Sequence, residues 1–229
     1  MKHIIVAIDG PAASGKSTVS KIIADKLNFN YIDTGAMYRC ITLLTLESNV
    51  SVDDEKEISN LLNKCNIHFE GTKCFLNGKD VSLAIRGNDV TKNVSKVCAY
   101  KDVREHMANL QREMGNKESV ILDGRDIGTN VFPNAHVKIY LTAPVEVRAV
   151  RRFLDNKQKG IESTIKELEI DIARRDYLDS HREIAPLTQA KDAIYVDNSS
   201  MDINQTAEYI INIIKEKTGV SLWFKEELQ

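Results

Sequence analysis

"AIDGPAASGKSTVS", residues 7–20, decides the architecture of this chain. It continues an apolar run, "IIVAID" from Ile4, that ends in acid and glycine and reads as a buried parallel strand. From about Gly15 to Leu27, Val19, Ile22, Ile23 and Leu27 recur at helical spacing. Between strand and helix, Gly10, Gly15, Lys16 and Ser17 fit the spacing G-x-x-x-x-G-K-[ST]. Glycine is needed because the loop's backbone N–H groups must turn inward around phosphate oxygens, and the helix behind them presents its positive end. In that geometry Lys16 reaches the β and γ phosphates and the Ser17 hydroxyl holds Mg²⁺. The stretch is expected to bind a nucleoside triphosphate.

Further strand patterns follow at "YID", "SVILD" (119–123), "HVKIYL" (136–141) and "DAIYVD" (192–197), most of them separated by helical segments. Five strands alternating with helices predict an α/β fold: a P-loop NTPase-type parallel sheet covered by helices on both faces. Ligands of such sheets bind beyond the carboxyl ends of the strands. Residues 50–95 break the alternation, with turn signals at Glu70-Gly71 and Asn77-Gly78. They are expected to form a small inserted antiparallel hairpin subdomain. The last helix, about Met201 to Thr218, is expected to turn Ile203, Ala207, Ile210, Ile211 and Ile214 toward the core.

The chain has 229 residues and a formal net charge of −2, so one large domain without general polyanion affinity is expected. Ten of its eleven arginines nevertheless lie between Arg86 and Arg182, and the other is Arg39. Arginine grips phosphate and carboxylate with a rigid fork, so this concentration points to a local anionic ligand rather than a nucleic-acid surface. The aromatic residues form no stacking pattern among basic ones, which also disfavours nucleic acid. Cys40, Cys65, Cys74 and Cys98 show no metal-ligand spacing and are expected to be reduced. The first residues run straight into a strand, and no apolar run is long enough to cross a membrane, so a cytoplasmic protein is expected. No spare apolar stripe is visible, and a monomer is expected.

Three further stretches carry chemistry. "DTGAMYR" opens a helix that Asp33 or Thr34 can cap, with Arg39 one turn in. "DGRD", residues 123–126, puts two acids and an arginine at a strand terminus, where packing has no obvious use for them. "RRDYLDSHRE" puts Arg175, Asp179 and Arg182 on one helical face, a pattern that a solvated ion-pair ladder would share. Together these suggest a donor phosphate site facing an anionic acceptor held by Arg39, Arg125 and Arg182. A phosphate acceptor needs no general base, whereas a hydroxyl acceptor needs one, with Asp33, Asp123 and Asp126 available. Spacing leaves both open; the arginine excess favours phosphate.

In "IDGPAASGKST", "YIDTGAMYR", "DGRDIGTNVFPNAHVKIYL" and "RRDYLDSHREIAPL", in that order, the chain resembles the bacterial cytidylate kinases, P-loop nucleoside monophosphate kinases, from about Ile4 to Lys217. The resemblance implies Mg²⁺- and ATP-dependent phosphoryl transfer to CMP or dCMP. Gly10, Pro11, Ala12, Ala13, Ser14, Gly15, Lys16, Ser17 and Thr18 match the ATP loop, with Ser17 toward Mg²⁺. Ser95, Arg104 and Asp126 match the positions that read cytosine, and Arg175 and Asp179 those that hold the sugar. Arg39, Arg125 and Arg182 match the clamp on the acceptor phosphate, with Thr34 and Asp123 beside it. Arg148, Arg151 and Arg152 fall in a short lid over ATP. Lys16, Arg125, Arg182, Arg148 and Arg152 are then the expected catalytic set.

The domain implied spans 1–229, with a core of about 1–49 and 96–229, an insert of about 50–95 and a lid of about 148–160; insert and lid are expected to close over the substrates. Lys101 and Asn130 depart from the usual pattern, where proline and an apolar residue are common. Other acceptors, UMP, AMP or a metabolite hydroxyl, and a non-catalytic nucleotide switch remain the alternatives.

Overall fold

The computed structural model describes residues 3–158 and 160–220. The expected single domain and lid therefore include positions 1–2, 159 and 221–229, which lie outside the described residues. The first strand, β1 (Ile5–Asp9), is buried throughout, as its uninterrupted apolar run requires. A glycine loop leads into α1 (Lys16–Leu27), which ends on Asn28 in the left-handed conformation. Then come β2 (Asn30–Asp33) and α2 (Thr34–Glu47). Asp33 caps α2, its carboxylate accepting from the Ala36 N–H at 2.9 Å.

The inserted region holds more than a hairpin. It comprises α3 (Glu55–Leu62), a three-stranded antiparallel sheet of β3 (Ile67–Glu70), β4 (Lys73–Leu76) and β5 (Lys79–Asp80), a 3₁₀ turn at Ala84–Arg86, and α4 (Asn88–Val97). The turns at Gly71 and Asn77-Gly78 carry positive φ at each of those three residues, as the sequence signals require. α5 begins at Lys101, with Tyr100 as its cap, and runs to Gly115. β6 (Val120–Gly124) leads into one wide π turn at Ile127–Val131. The chain closes with β7 (Val137–Thr142), α6 (Val145–Gln158), α7 (Ile165–His181), β8 (Ile194–Asp197) and α8 (Ile203–Thr218).

The five expected strands form one wholly parallel sheet in the order β2-β6-β1-β7-β8. β1 therefore lies in the middle, flanked by β6 and β7, so the glycine loop and "DGRD" emerge side by side at the carboxyl edge. One face packs α1 and α8 through Val19, Ile23, Ala207, Ile210, Ile211 and Ile214. Ile203 sits on the first turn of α8 and is half exposed, outside that stripe. The opposite face packs α2 and α5, and its cluster runs on without a break into the insert: Met37 and Ile41 adjoin Ile58, Ile67, Leu76 and Ile85. The insert thus borrows its core from the main sheet.

All four cysteines are free and buried, as expected of reduced thiols. Among the described residues no helix is long and apolar enough to cross a membrane.

Because the insert shares the main cluster, truncating its fully buried Ile85 should weaken the whole protein. Ile85→Ala is expected to cost about 2–5 kcal/mol in denaturant unfolding while keeping one cooperative transition. A separate early transition would instead assign the insert a core of its own.

Candidate active site

The carboxyl edge of the sheet opens into a cleft of about 860 Å³. Its floor is the glycine loop. Gly10 has no room for a side chain: a Cβ there would lie 2.0 Å from the Leu141 carbonyl oxygen. Gly15 holds φ at 88° at the entry to α1, and Ala13 is also left-handed, with φ 58°. Alternating backbone handedness of this kind turns successive N–H groups inward as an anion nest. Lys16 is buried in the loop, its Nζ donating to the Pro11 carbonyl at 2.7 Å and to Ser14 Oγ at 3.3 Å. Burial, followed by the charge of Arg125, pulls its ammonium down to about 7. An anion in the nest would oppose both effects.

Asp123, at the end of β6, faces the start of α1. The Ser17 hydroxyl donates to its Oδ2 at 2.8 Å, and Tyr31 on β2 donates to its Oδ1 at 2.6 Å. Burial and then the charge of Asp33 push this carboxyl up to about 6. A hydroxyl beside a carboxylate at the mouth of a phosphate nest fits Mg²⁺, which is commonly held by one or two carboxylates together with substrate phosphates. Among the described residues no cluster of three or more His, Cys, Asp or Glu forms a separate metal cage.

The ten expected acceptor residues, Thr34, Arg39, Ser95, Arg104, Asp123, Arg125, Asp126, Arg175, Asp179 and Arg182, all line this cleft. Asp179 organises two of them, accepting from Arg125 Nε at 2.8 Å with Arg182 4.0 Å away. Burial opposes charge in both partners, but the pairing wins: Asp179 is held below the usual carboxylate range and Arg125 above its usual value. Arg182 does not extend the α7 face as its spacing suggested. It is the residue after the helix, with extended backbone, and its Nε donates to the Ala185 carbonyl at 2.7 Å. Asp126 Oδ2 accepts from Arg104 at 2.7 Å and from Asn130 at 2.9 Å, while Oδ1 has, among the described residues, a long 3.4 Å contact from Arg182. Arg39 donates to the Ile85 carbonyl and to Thr91 Oγ1, joining α2 to the insert.

The three α6 arginines separate. Arg152 lines the cleft. Arg151 also lines it and is anchored on Asn198, donating to Oδ1 at 2.9 Å and to the carbonyl at 2.7 Å. Arg148 is buried behind the glycine loop, donating to the Ala12 and Ala143 carbonyls at 2.8 Å each. Eight arginines and Lys16 line the cleft against six aspartates, a positive surplus in a chain of net charge −2.

A family model described as cytidylate kinase matches residues 6–216. The chain belongs to the cytidylate kinase family. It is 54% identical over 216 residues to the cytidylate kinase of Lactobacillus gasseri, covering 93% of this chain and 94% of that one. It is 53% identical to that of Lactobacillus johnsonii, with the same coverage. With the cytidylate kinase of Bacillus subtilis it shares 47% over 221 residues, 95% of this chain and 99% of the other.

Several residues that support this cleft are not singled out by the sequence. Asp176 accepts from the Ala12 N–H at 3.0 Å. Asn198 Nδ2 donates to the Ser14 carbonyl at 3.1 Å. Asp9, buried at the end of β1, accepts from the N–H groups of Ile127 and Gly128 at 2.9 and 2.7 Å and so holds the turn after "DGRD". Asp9 and Asn198 both sit at carboxyl ends of strands, the one signal that would have flagged them.

Burial pushes the Asp9 carboxyl from 3.8 to about 6, against the pull of its two N–H donors. A carboxyl with a folded-state pKa above its unfolded value stabilises the fold when protonated. That contribution is full below pH 3.8 and lost as the pH rises through about 6. Asp9→Asn is therefore expected to flatten the pH dependence of unfolding free energy across this window, by about 1 kcal/mol per pH unit. Urea titrations at a series of pH values measure this; an unchanged slope would assign the titration to another group.

Proposed function

We propose that the protein is a cytidylate kinase, transferring the γ-phosphoryl group of ATP to CMP or dCMP. Family membership names the acceptor class, and one structural observation supports the chemistry: the phosphate nest and the Arg39, Arg125 and Arg182 side chains line the same cleft. The nest, from Gly10 to Thr18, takes the ATP phosphates. Arg39, Arg125 and Arg182 hold the acceptor phosphate, and Arg175 and Asp179 the sugar. Among the described residues the buried Nε of Arg175 has no hydrogen-bond partner, which suits a donor waiting for a ligand oxygen. Ser95, Arg104 and Asp126 read cytosine, with Asp126 Oδ1 accepting from the exocyclic amine.

The acceptor phosphate oxygen is already an anion. It forms the new bond to the γ-phosphorus as the bond from that phosphorus to the β-phosphate oxygen breaks, and ADP leaves. No proton has to be removed, so positioning and charge neutralisation carry the rate. The carboxylates favour this over a hydroxyl acceptor. Asp33 is occupied by the Ala36 N–H and Arg86 and Asp123 by Tyr31 and Ser17, while Asp126 Oδ1, the oxygen that Arg104 and Asn130 leave over, is taken by the base amine. A base needs a lone pair aimed at the proton it takes. Ser17 and Asp123 would hold Mg²⁺, which would supply neutralisation of the donor's phosphate charge. Arg151 and Arg152 close over ATP from the lid, about 148–160, while the insert, about 50–95, closes over the acceptor. We take the working form to be a cytoplasmic monomer.

A coupled assay with MgATP and CMP, dCMP, UMP, AMP or GMP in turn should give fast diphosphate formation with the first two and little with the purines. Arg125→Ala is expected to lower turnover by about 10³-fold, by analogy with other arginines that neutralise phosphoryl transfer. Near-normal turnover would remove Arg125 from the clamp. Asp126→Ala should raise KM for CMP far more than KM for ATP; equal effects would remove it from base reading.

A further inference from the structure

The pair α6 and α7 meets the back of the phosphate loop at one residue, Ala12, itself buried. Both polar groups of Ala12 are engaged there. Its carbonyl accepts from Arg148 Nη1 at 2.8 Å, and its N–H donates to Asp176 Oδ1 at 3.0 Å. The ring closes between the helices, Arg148 Nη1 donating to Asp176 Oδ2 at 2.6 Å. Arg148 Nε is held in turn by the Ala143 carbonyl at 2.8 Å. The Arg148 side chain is 5% exposed and does not line the cleft.

The next residue, Ala13, is left-handed and lines the cleft. In a trans peptide the carbonyl of one residue and the N–H of the next share a plane and point in opposite directions. With the Ala12 carbonyl pinned backward onto Arg148, the Ala13 N–H has to point forward into the nest. A non-glycine residue in this conformation gains from any contact that opposes a peptide flip.

We propose that Arg148 and Asp176 are positioning residues: a buried ion pair that clamps both polar groups of Ala12 and so keeps the Ala13 N–H aimed at the donor phosphates. Arg148 then acts behind the loop rather than as a lid arginine touching phosphate. This rests on reading the loop as the ATP site, and the test separates the two ideas.

The experiment measures MgATP affinity by calorimetry with no acceptor present, CMP affinity separately, and the Ala13 amide resonance in ¹⁵N spectra. It compares the parent with Arg148→Lys, Asp176→Ala and the near-isosteric Asp176→Asn. Arg148→Lys and Asp176→Ala are each expected to weaken MgATP by about tenfold or more, the scale of a charge-assisted hydrogen bond. CMP affinity should stay within twofold, and the Ala13 amide should already be displaced in the nucleotide-free variants. Asp176→Asn keeps an oxygen for the Ala12 N–H and should recover part of the affinity. MgATP affinity within twofold of the parent in both Arg148→Lys and Asp176→Ala would overturn the clamp. So would an equal loss for CMP, which signals general loosening. Lost affinity with an unmoved Ala13 amide would also overturn it and make Arg148 a direct phosphate contact. A parent that binds no MgATP overturns the ATP reading and the clamp together, whereas one that binds MgATP but not CMP still tests the clamp.

Discussion

Like charges gathered out of water are the constraint on which this structure depends. Eight arginines and a lysine face one cleft, and burial already pulls Lys16 down to about 7. Such a site stays charged only if carboxylates share the burial with it. Each acid of the cleft floor therefore has its own cationic or hydroxyl partners: Asp179 has Arg125, Asp126 has Arg104, and Asp123 has Ser17 and Tyr31. These pairs leave the cleft with a positive surplus, and that surplus favours the entry of two anions. The rest of the fold serves to bring acids from β2, β6 and α7 to the same edge.

The parallel sheet makes that convergence possible. Placing β1 between β6 and β7 brings the glycine loop beside "DGRD", although more than a hundred residues separate them. Asp9 then ties the two strand ends together by accepting from the first two N–H groups of the turn after "DGRD". Its desolvation works against ionisation, so the contact is retained at a cost to stability at neutral pH. A carboxylate here earns its place by fixing the turn that presents Asp126.

The five strands and the glycine loop were readable from the chain because each rests on a local pattern, whereas Ser95 and Arg104 stood out only through the family resemblance. Apolar runs, glycine spacing and caps are written within about ten residues of sequence. What escaped were the contacts made across the fold to backbone groups. Asp176 reads as one more acid in a charged helix, and nothing in its neighbourhood says that it will meet the Ala12 N–H. Helical spacing gives Arg148, Arg151 and Arg152 a shared stretch of helix but not what each meets: Arg148 is buried behind the loop, whereas Arg151 and Arg152 line the cleft. The insert exceeded a hairpin because α3 and α4 bury Ile58, Leu62, Val90 and Val97 in the cluster shared with the main sheet, a tertiary gain that short strand patterns do not carry.

In the proposed reaction the α7 helix sets the distance over which transfer must occur. Asp176 holds the glycine loop, proposed for the donor, and Asp179, three residues on, holds Arg125 of the proposed acceptor clamp. Residues three apart on a helix lie about 5–6 Å from one another. Donor loop and acceptor clamp are thus referenced to adjacent turns of a single rigid element, not to two loops that drift independently. In-line phosphoryl transfer gains most of its rate from such fixed spacing, because the reacting oxygens do little covalent work that side chains could assist. A helix that carries both anchors keeps that spacing while the cleft around it adjusts.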